Sequence, residues 1–597
     1  MNARSIVSVA IIASCLVGVL VAATAPAAAA DNIQVENVLS QSSTDDVIDV
    51  ETRVAIPDST ASLRLTLPEG ATVRESNGFE RIDDRTHEWT GSTATPSIRY
   101  EHEGTVRTTR RGQEGVLFVA AEKWALVRTP GVGVSARAAE GTEIVRENTV
   151  EGEGVASTHL AYLGPYTEHA GSAAGQEIRL IVPDAADLRE DPNDIIETIE
   201  SSATRLAIGN SEESVFIIAA PTAEHEWASA GIQRGDGDDA WVRDVERVGT
   251  ARDTWIHEYV HTRQEYAQRS GEGTTPETRW TIEGMADYYA ALLPHERGSI
   301  DHETFRDRLE EGATGHDDVR LADPETWAGT DADYDRGALV FAHVDQRLLA
   351  GSGTTLDAVV ADLNDDDATL TQERFLEAVE TAGGSELRVD VERYTETTAT
   401  PPIPTRREHV AAFGGPDVRY TIESVAVSGP YRAGAIGDGS LVIGETLELN
   451  VTAENVGTEA GSLEANLQID GESVATETAQ LASGESTTLR FEHPVENTGE
   501  LEILIGSERL AVRVSEPAEL AVTALDIEPT TPTVGQPVTL RGTVQSAADR
   551  PAAGEVGFVI DGETVATEPV QIADGTVTIE TTVTFDTPGE HVVSVGN

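Results

Sequence analysis

In the segment Trp255-Ile256-His257-Glu258-Tyr259-Val260-His261, two histidines stand four positions apart and a glutamate directly follows the first. On a helix, residues i and i+4 share one face, so both imidazoles can reach a single Zn²⁺. Glu258 projects beside them, where its carboxylate can take a proton from a water whose pKa a divalent ion has lowered to about 7. This spacing points to a zinc hydrolase. Residues 250–254 supply the helix start. Further along, Glu283 and Asp287 repeat the i, i+4 relation in Glu283-Gly284-Met285-Ala286-Asp287. An amphipathic helix with two solvated histidines would leave that second pair unexplained.

Together the two clusters resemble the gluzincin metallopeptidases. The resemblance implies that Glu283 is the third zinc ligand and that Asp287 hydrogen-bonds a ligand histidine, fixing its tautomer and orientation. Within that clan the region from His257 to Ala338 is similar to the aminopeptidase-N-like and glycyl-aminopeptidase-like families. Those families carry a Tyr-x-Lys-Gly pattern, and this chain reads Tyr334-Asp335-Arg336-Gly337. The likeness makes Tyr334 the donor to the developing oxyanion. The same families bear a glycine-rich strand with a glutamate that grips the substrate's amino terminus. Here that region reads Gly231-Ile232-Gln233-Arg234-Gly235-Asp236-Gly237-Asp238-Asp239, without a glutamate, so aminopeptidase specificity does not follow. Asp238 or Asp239 as the anchor, or a plain solvated turn, both stay open at this point.

These residues must be positioned by a chain of 597 residues, too long for one core. Its 104 acidic and 42 basic residues give a net charge of -62, and Lys123 is the sole lysine. At molar salt the Debye length shrinks to about 3 Å, which screens such self-repulsion. The pattern resembles proteins of salt-loving archaea. A disordered acidic chain is excluded by 39% hydrophobic residues spread through regular patterns. Nucleic acid is an unsuitable partner, because phosphates would be repelled.

Residues 1–30 read as a secretory signal, with Arg4 before an apolar run and Ala28-Ala29-Ala30 before Asp31. The protein is then secreted or held at the cell surface. An uncleaved membrane anchor and a lipid-modified Cys15 are the rival readings. Cys15 is the one cysteine, so the chain after the signal has no disulfide or thiolate ligand.

The expected fold is multidomain. Residues 31–157 form an all-β domain of short alternating strands, as in Ala61-Ser62-Leu63-Arg64-Leu65-Thr66-Leu67. Residues 158–397 form a thermolysin-like catalytic domain: an α/β half with strands at 177–182 and 214–220 and a helix near 193–208, then a helical half. The proline-rich run at 398–405 opens a linker over 398–416.

Two β-sandwiches, 417–515 and 516–597, follow from a repeat. Ile469-Asp470-Gly471-Glu472-Ser473-Val474 recurs as Ile560-Asp561-Gly562-Glu563-Thr564-Val565, and each Asp-Gly signals a hairpin. They resemble CARDB-type modules, which implies a cell-surface partner. Alignment of the copies expects the second to be one strand short, with an edge open to strand addition.

Three functions fit the sequence: a zinc peptidase acting on a peptide or protein substrate through a metal-activated water; an adhesion protein with a structural metal; and a zinc ester or epoxide hydrolase. Glu258 argues against the second, since a closed structural site needs no carboxylate there.

Overall fold

The computed structural model describes residues 32–596 except 111, 207, 209–212, 235–237, 269–272, 367, 414–416, 437–439, 458–459 and 549. The expected signal, Cys15 included, lies outside these residues. Among the described residues no helix is long and apolar enough to cross a membrane.

The chain forms two compact units. The first comprises residues up to Val38 together with Asp49–His102 and Pro130–Thr149, and it is all β. Its strands alternate as the sequence does: along Val47–Ala55 every second residue is buried, Val50 and Val54 among them.

The second unit holds Leu39–Ile48, Glu103–Thr129 and Val150–Asn597. Its first sheet orders the strands Gly154–Ala156, Leu160–Leu163, Ala125–Arg128, Gln113–Ala120 and Val106–Arg110. Phe118, Leu126 and Tyr162 from this sheet share an apolar core with Phe216, Ile218 and Trp241 of a second sheet.

That second sheet is built from β1 (Tyr166–Ala173), β2 (Gln176–Pro183), β3 (Ser214–Ala220), β4 (Gly231–Arg234) and β5 (Asp239–Arg243), in the order β1-β2-β3-β5-β4. β2, β3 and β5 are parallel, while β1 and β4 are antiparallel edges. Helix α1 (Pro192–Arg205) makes the β2–β3 crossover, capped by Asp191, whose side chain accepts from the Asn193 N–H.

The helices α2 (Thr254–His261), α3 (Trp280–Arg297), α4 (His302–Ala313), α5 (Ala332–Gly351), α6 (Leu356–Asn364) and α7 (Gln372–Glu396) complete this core. α3 and α5 touch backbone to backbone. A Cβ on Gly284 would stand 2.6 Å from the Gly337 Cα, and one on Gly337 would stand 2.7 Å from the Gly284 Cα. Only glycine at both positions permits that approach.

Within the proline-rich connection 398–416, Arg406–Phe413 forms a further helix, α8. Thr405 and Glu408 make its capping box, the Thr405 N–H and hydroxyl both donating to the Glu408 carboxylate. Ala399, Ile403 and Phe413 pack on the helical core, so this connection is seated rather than free.

Both C-terminal modules are β-sandwiches, antiparallel apart from Ser440–Val442, which pairs in parallel with Glu508–Ser515 in the first. In the first, Val418–Ser428, Thr446–Asn455 and Ser486–Pro494 pair in one sheet, and the other holds Gly461–Ile469, Glu472–Leu481, Gly499–Ile505 and Glu508–Ser515. Asp470 and Asp561 both have positive φ and each is followed by a positive-φ glycine, the geometry of type I′ hairpin turns. In the second module Val593–Gly596 pairs with Ala552–Ile560 as an edge strand of a three-stranded sheet.

The first sandwich is fastened to the turn between α3 and α4. Asp301 caps α4 through one oxygen, accepting from the Thr304 N–H at 2.9 Å, and accepts from the Ser507 N–H at 3.1 Å through the other. Tyr420 donates to the Gly298 carbonyl, and Arg297 pairs with Glu464 at 2.7 Å. Beside this contact His295, His302 and His409 are buried together, with the His295 and His409 Nε2 atoms 3.1 Å apart. Burial pushes the His302 imidazole down to about 4, helped by His295 and Arg406 and opposed by Asp417 and Asp301. Burial lowers His295 and His409 as well.

Unfolded, these histidines titrate near 6.5. Their contribution to stability is therefore complete above about pH 6.5 and is lost as pH falls toward the depressed folded values. The melting temperature should drop between pH 6.5 and 4, and His302→Gln should flatten that slope. Thermal scans across the pH series check this; an identical slope in the variant would assign the acid sensitivity to other groups.

Candidate metal centre

Helix α2 starts where Asp253 caps it, the Asp253 side chain accepting from the N–H groups of Ile256 and Gly249. Burial pushes this carboxyl up to about 7 against those two hydrogen bonds. Trp255, Ile256, Tyr259 and Val260 are fully buried, which anchors one face of a short helix. His257, Glu258 and His261 occupy the remaining stripe.

α3 brings Glu283 to this stripe. The His257 and His261 Nε2 atoms are 3.1 Å apart, and each is 3.3 Å from the Glu283 Oε2. Among the described residues this is the group of three donors able to hold a metal ion. Donors bound tetrahedrally at 2.0–2.1 Å would lie about 3.3 Å from one another. The His261 Nδ1 faces the Gln264 Oε1 at 2.8 Å and donates to it, leaving the Nε2 lone pair bare toward the centre. Gln264 is itself held by donating from its amide to the Ile282 carbonyl at 2.8 Å. The convergence of a bare imidazole nitrogen, a second imidazole and a carboxylate fits a Zn²⁺ ion. For Glu283, burial opposes ionisation, but its contacts with His257 and His261 hold its carboxyl well below the usual range.

Glu258 is buried beside the donors, and its Oε2 has no hydrogen-bond partner. Burial raises this carboxyl above its ordinary value, His261 and His257 oppose the rise, Glu283 adds to it, and the backbone N–H of Gln233 opposes it. The strand that supplies this N–H comes very close: a Cβ on Gly231 would lie 2.7 Å from both Cγ and Oε1 of Glu258. Glycine at 231 thus lets β4 confine Glu258 from one side.

Tyr334, on the first turn of α5, stacks on His257 with ring centroids 5.7 Å apart and planes 5° from parallel. Its place beside the donors follows from the Gly284–Gly337 contact, because Tyr334 lies about one helical turn before Gly337. Arg336 is buried and donates to the Val319 carbonyl at 2.9 Å and to the Thr400 hydroxyl, so it braces the helix.

Asp287 faces the His257 Nδ1 at 3.7 Å, an ion-pair distance longer than a hydrogen bond. Its tighter contact is with Arg308, a residue the sequence reading did not single out. Arg308 is 2% exposed, and it also reaches Asp335 at 2.9 Å and Glu311 at 2.6 Å. No local pattern marks it, since its partners come from α3, α4 and α5. Gln264 and Gly231 were likewise not assigned roles. Asp239 is committed elsewhere: it is fully buried and accepts from the Ser157 hydroxyl at 2.7 Å and from the N–H groups of His159 and Leu160. It is therefore not free to anchor a substrate. Asp236 lies outside the described residues.

Asp287→Ala should weaken zinc affinity by roughly 10–100-fold, as for other carboxylates that orient ligand histidines. Competition with a chelator measures it; unchanged affinity would leave Asp287 as a partner of Arg308 alone.

Comparison with known proteins gives three findings. Residues 434–509 match the CARDB family model, within the first C-terminal sandwich. No curated protein matches the chain. Among solved structures, the chain is similar to an M1 zinc metallopeptidase from Deinococcus radiodurans, crystallised with a Tyr-Ser-Ala substrate, at 13% identity over 63% of this chain and 95% of that one, with a TM-score of 0.42. It is also similar to an aminopeptidase N family protein from Idiomarina loihiensis, at 12% identity over 81% and 96% of the two chains and a TM-score of 0.45. Legionella pneumophila aminopeptidase A, in complex with aspartic acid, gives 13% identity over 78% and 57% and a TM-score of 0.35.

Proposed function

We propose that this chain is a secreted or surface-associated zinc peptidase that hydrolyses peptide bonds with an activated water. The observation that carries this reading is the buried Glu258 carboxylate, with one oxygen unpaired, beside three converging metal donors. His257, His261 and Glu283 would hold the ion. Bound there, zinc supplies Lewis acidity toward a carbonyl oxygen and lowers the pKa of water at the site.

Glu258 takes a proton from the attacking water and delivers it to the leaving amine. A carboxyl raised by burial suits both halves of that transfer, since it accepts and releases a proton closer to neutrality. Tyr334 donates its phenolic hydrogen to the oxyanion that forms as the carbonyl is attacked. Stacking on His257 limits the ring's freedom, so little reorganisation is needed at the moment of reaction.

The C-terminal sandwiches are proposed to present the enzyme to a cell-surface partner, with the acidic surface suited to a concentrated-salt medium. Support for the first is the CARDB match and the contact of that module with the α3–α4 turn. Support for the second is the net charge of -62.

Assays at about 1 M salt, where the Debye length is about 3 Å, test the chemistry. Glu258→Gln should keep about one zinc per chain and lose roughly 10²–10⁴-fold in turnover, because an amide preserves shape but accepts no proton. Loss of zinc with activity would recast Glu258 as a structural residue. Tyr334→Phe should lower kcat roughly 10²–10³-fold with KM nearly constant. A change confined to KM would move the phenol from the oxyanion to ground-state binding.

A further inference from the structure

Arginine in this chain is mostly spent on pairing surface carboxylates: Arg53, Arg64, Arg99, Arg179 and Arg374, for example, each have an acid within 3.4 Å. Beside the metal centre that pattern breaks. Arg234 ends β4, three residues after the glycine that abuts Glu258, and its Nε is buried with no hydrogen-bond partner.

Arg110, at the end of the strand Val106–Arg110, donates to the Ser229 hydroxyl at 3.2 Å, and Ser229 in turn donates to the Gly231 carbonyl at 2.8 Å. The other arm of Arg110 stands 3.9 Å from the Glu283 Oε1. Arg128 lies over the Phe118 ring, 5.2 Å from its centroid, within electrostatic reach of Arg234. Burial disfavours the charge on Arg234, Arg128 and Arg110 add to that cost, and Glu258 opposes it. Arg110 and Arg234 thus both meet β4 beside Glu258 and Glu283, the carboxylates of the proposed catalytic apparatus. A half-buried cation without a hydrogen-bond acceptor at its Nε gains most from an anion that arrives with the ligand.

We propose that Arg234 and Arg110 form a subsite beside the metal centre that binds a carboxylate of the peptide substrate. This rests on the peptidase reading and names its substrate class: peptides carrying a carboxylate near the bond to be cut, with no requirement for a free amino terminus. The carboxylate belongs either to an acidic side chain or to the substrate's C-terminus, and both present the planar, two-oxygen acceptor that a guanidinium fork matches.

The test uses the zinc-loaded full chain carrying Glu258→Gln, so that binding is read without turnover. Four N-acetylated tetrapeptides, with Glu or Gln at one internal position and a C-terminal acid or amide, are titrated by calorimetry. One of the two acid-to-amide changes should weaken binding roughly 10–100-fold, and which one identifies the source of the carboxylate. Adding Arg234→Gln should erase that difference, while Arg234→Lys should retain part of it.

Equal binding of all four peptides, or binding only after the amino terminus is freed, overturns the proposal. The peptide comparison needs no arginine variant, so it stands even if Arg234→Gln fails to fold. The wild-type enzyme separates the two ideas. Turnover of peptides with no carboxylate preference keeps the peptidase and rejects the subsite. Arginine-dependent binding of the acid peptides without turnover of any peptide keeps the subsite and rejects the peptidase.

Discussion

The contact between Gly284 and Gly337 is the constraint on which the site depends. α3 and α5 approach until a single methyl on either glycine would enter the other backbone. Around that crossing, Glu283 lies one residue before Gly284 and Tyr334 three before Gly337, so one close approach sets both a metal donor and the phenol against α2. Trp280 packs on Phe341 and Phe375 just beyond it, with centroids 5.2 and 5.5 Å away, and holds the crossing from the core side. Helices separated by ordinary side chains pack 8–10 Å apart, so the glycines bring this pair closer than that default would.

A second layer of charge stabilises the arrangement. Arg308 is almost completely buried and draws Asp287 of α3, Glu311 of α4 and Asp335 of α5 onto one guanidinium. His316 closes on the other side of Asp335 at 3.1 Å. A buried guanidinium with several carboxylates is costly to disturb, since losing one partner leaves a charge uncompensated at about 3–5 kcal/mol. The carboxylate of Asp287 is in this way tied to three helices at once.

On the opposite side, β4 presses its backbone against Glu258, and the strand ends in the arginine that lacks a partner at its Nε. Glu258 is buried there, and its Oε2 has no hydrogen-bond partner. The first sandwich, through Asp301, Tyr420 and Glu464, grips the turn joining α3 to α4, the same two helices that carry Asp287 and Arg308. The C-terminal module is therefore built into the body that positions the site.

Features that depend on short-range periodicity are legible in the residues alone. Histidines four apart fall on one helical face whatever surrounds them, Glu283 and Asp287 do the same, and Asp-Gly between alternating strands makes a tight hairpin, as at Asp470 and Asp561. The strands at 176–183 and 214–220 and the helix at 192–205 are legible for the same reason. Helix α8 carried a local signal too, the Thr405–Glu408 capping box, but the proline run before it suggested an open tether. Folding of the whole chain is what makes Arg308 rather than His257 the closest partner of Asp287, fastens Gln264 to the Ile282 carbonyl, and seals Asp239 under the strand at 160–163. It also brings Arg110, through Ser229, to the strand that ends in Arg234, more than a hundred residues further along the chain. Each of these pairings joins residues distant in the chain, and burial sets its strength; spacing along a sequence encodes neither.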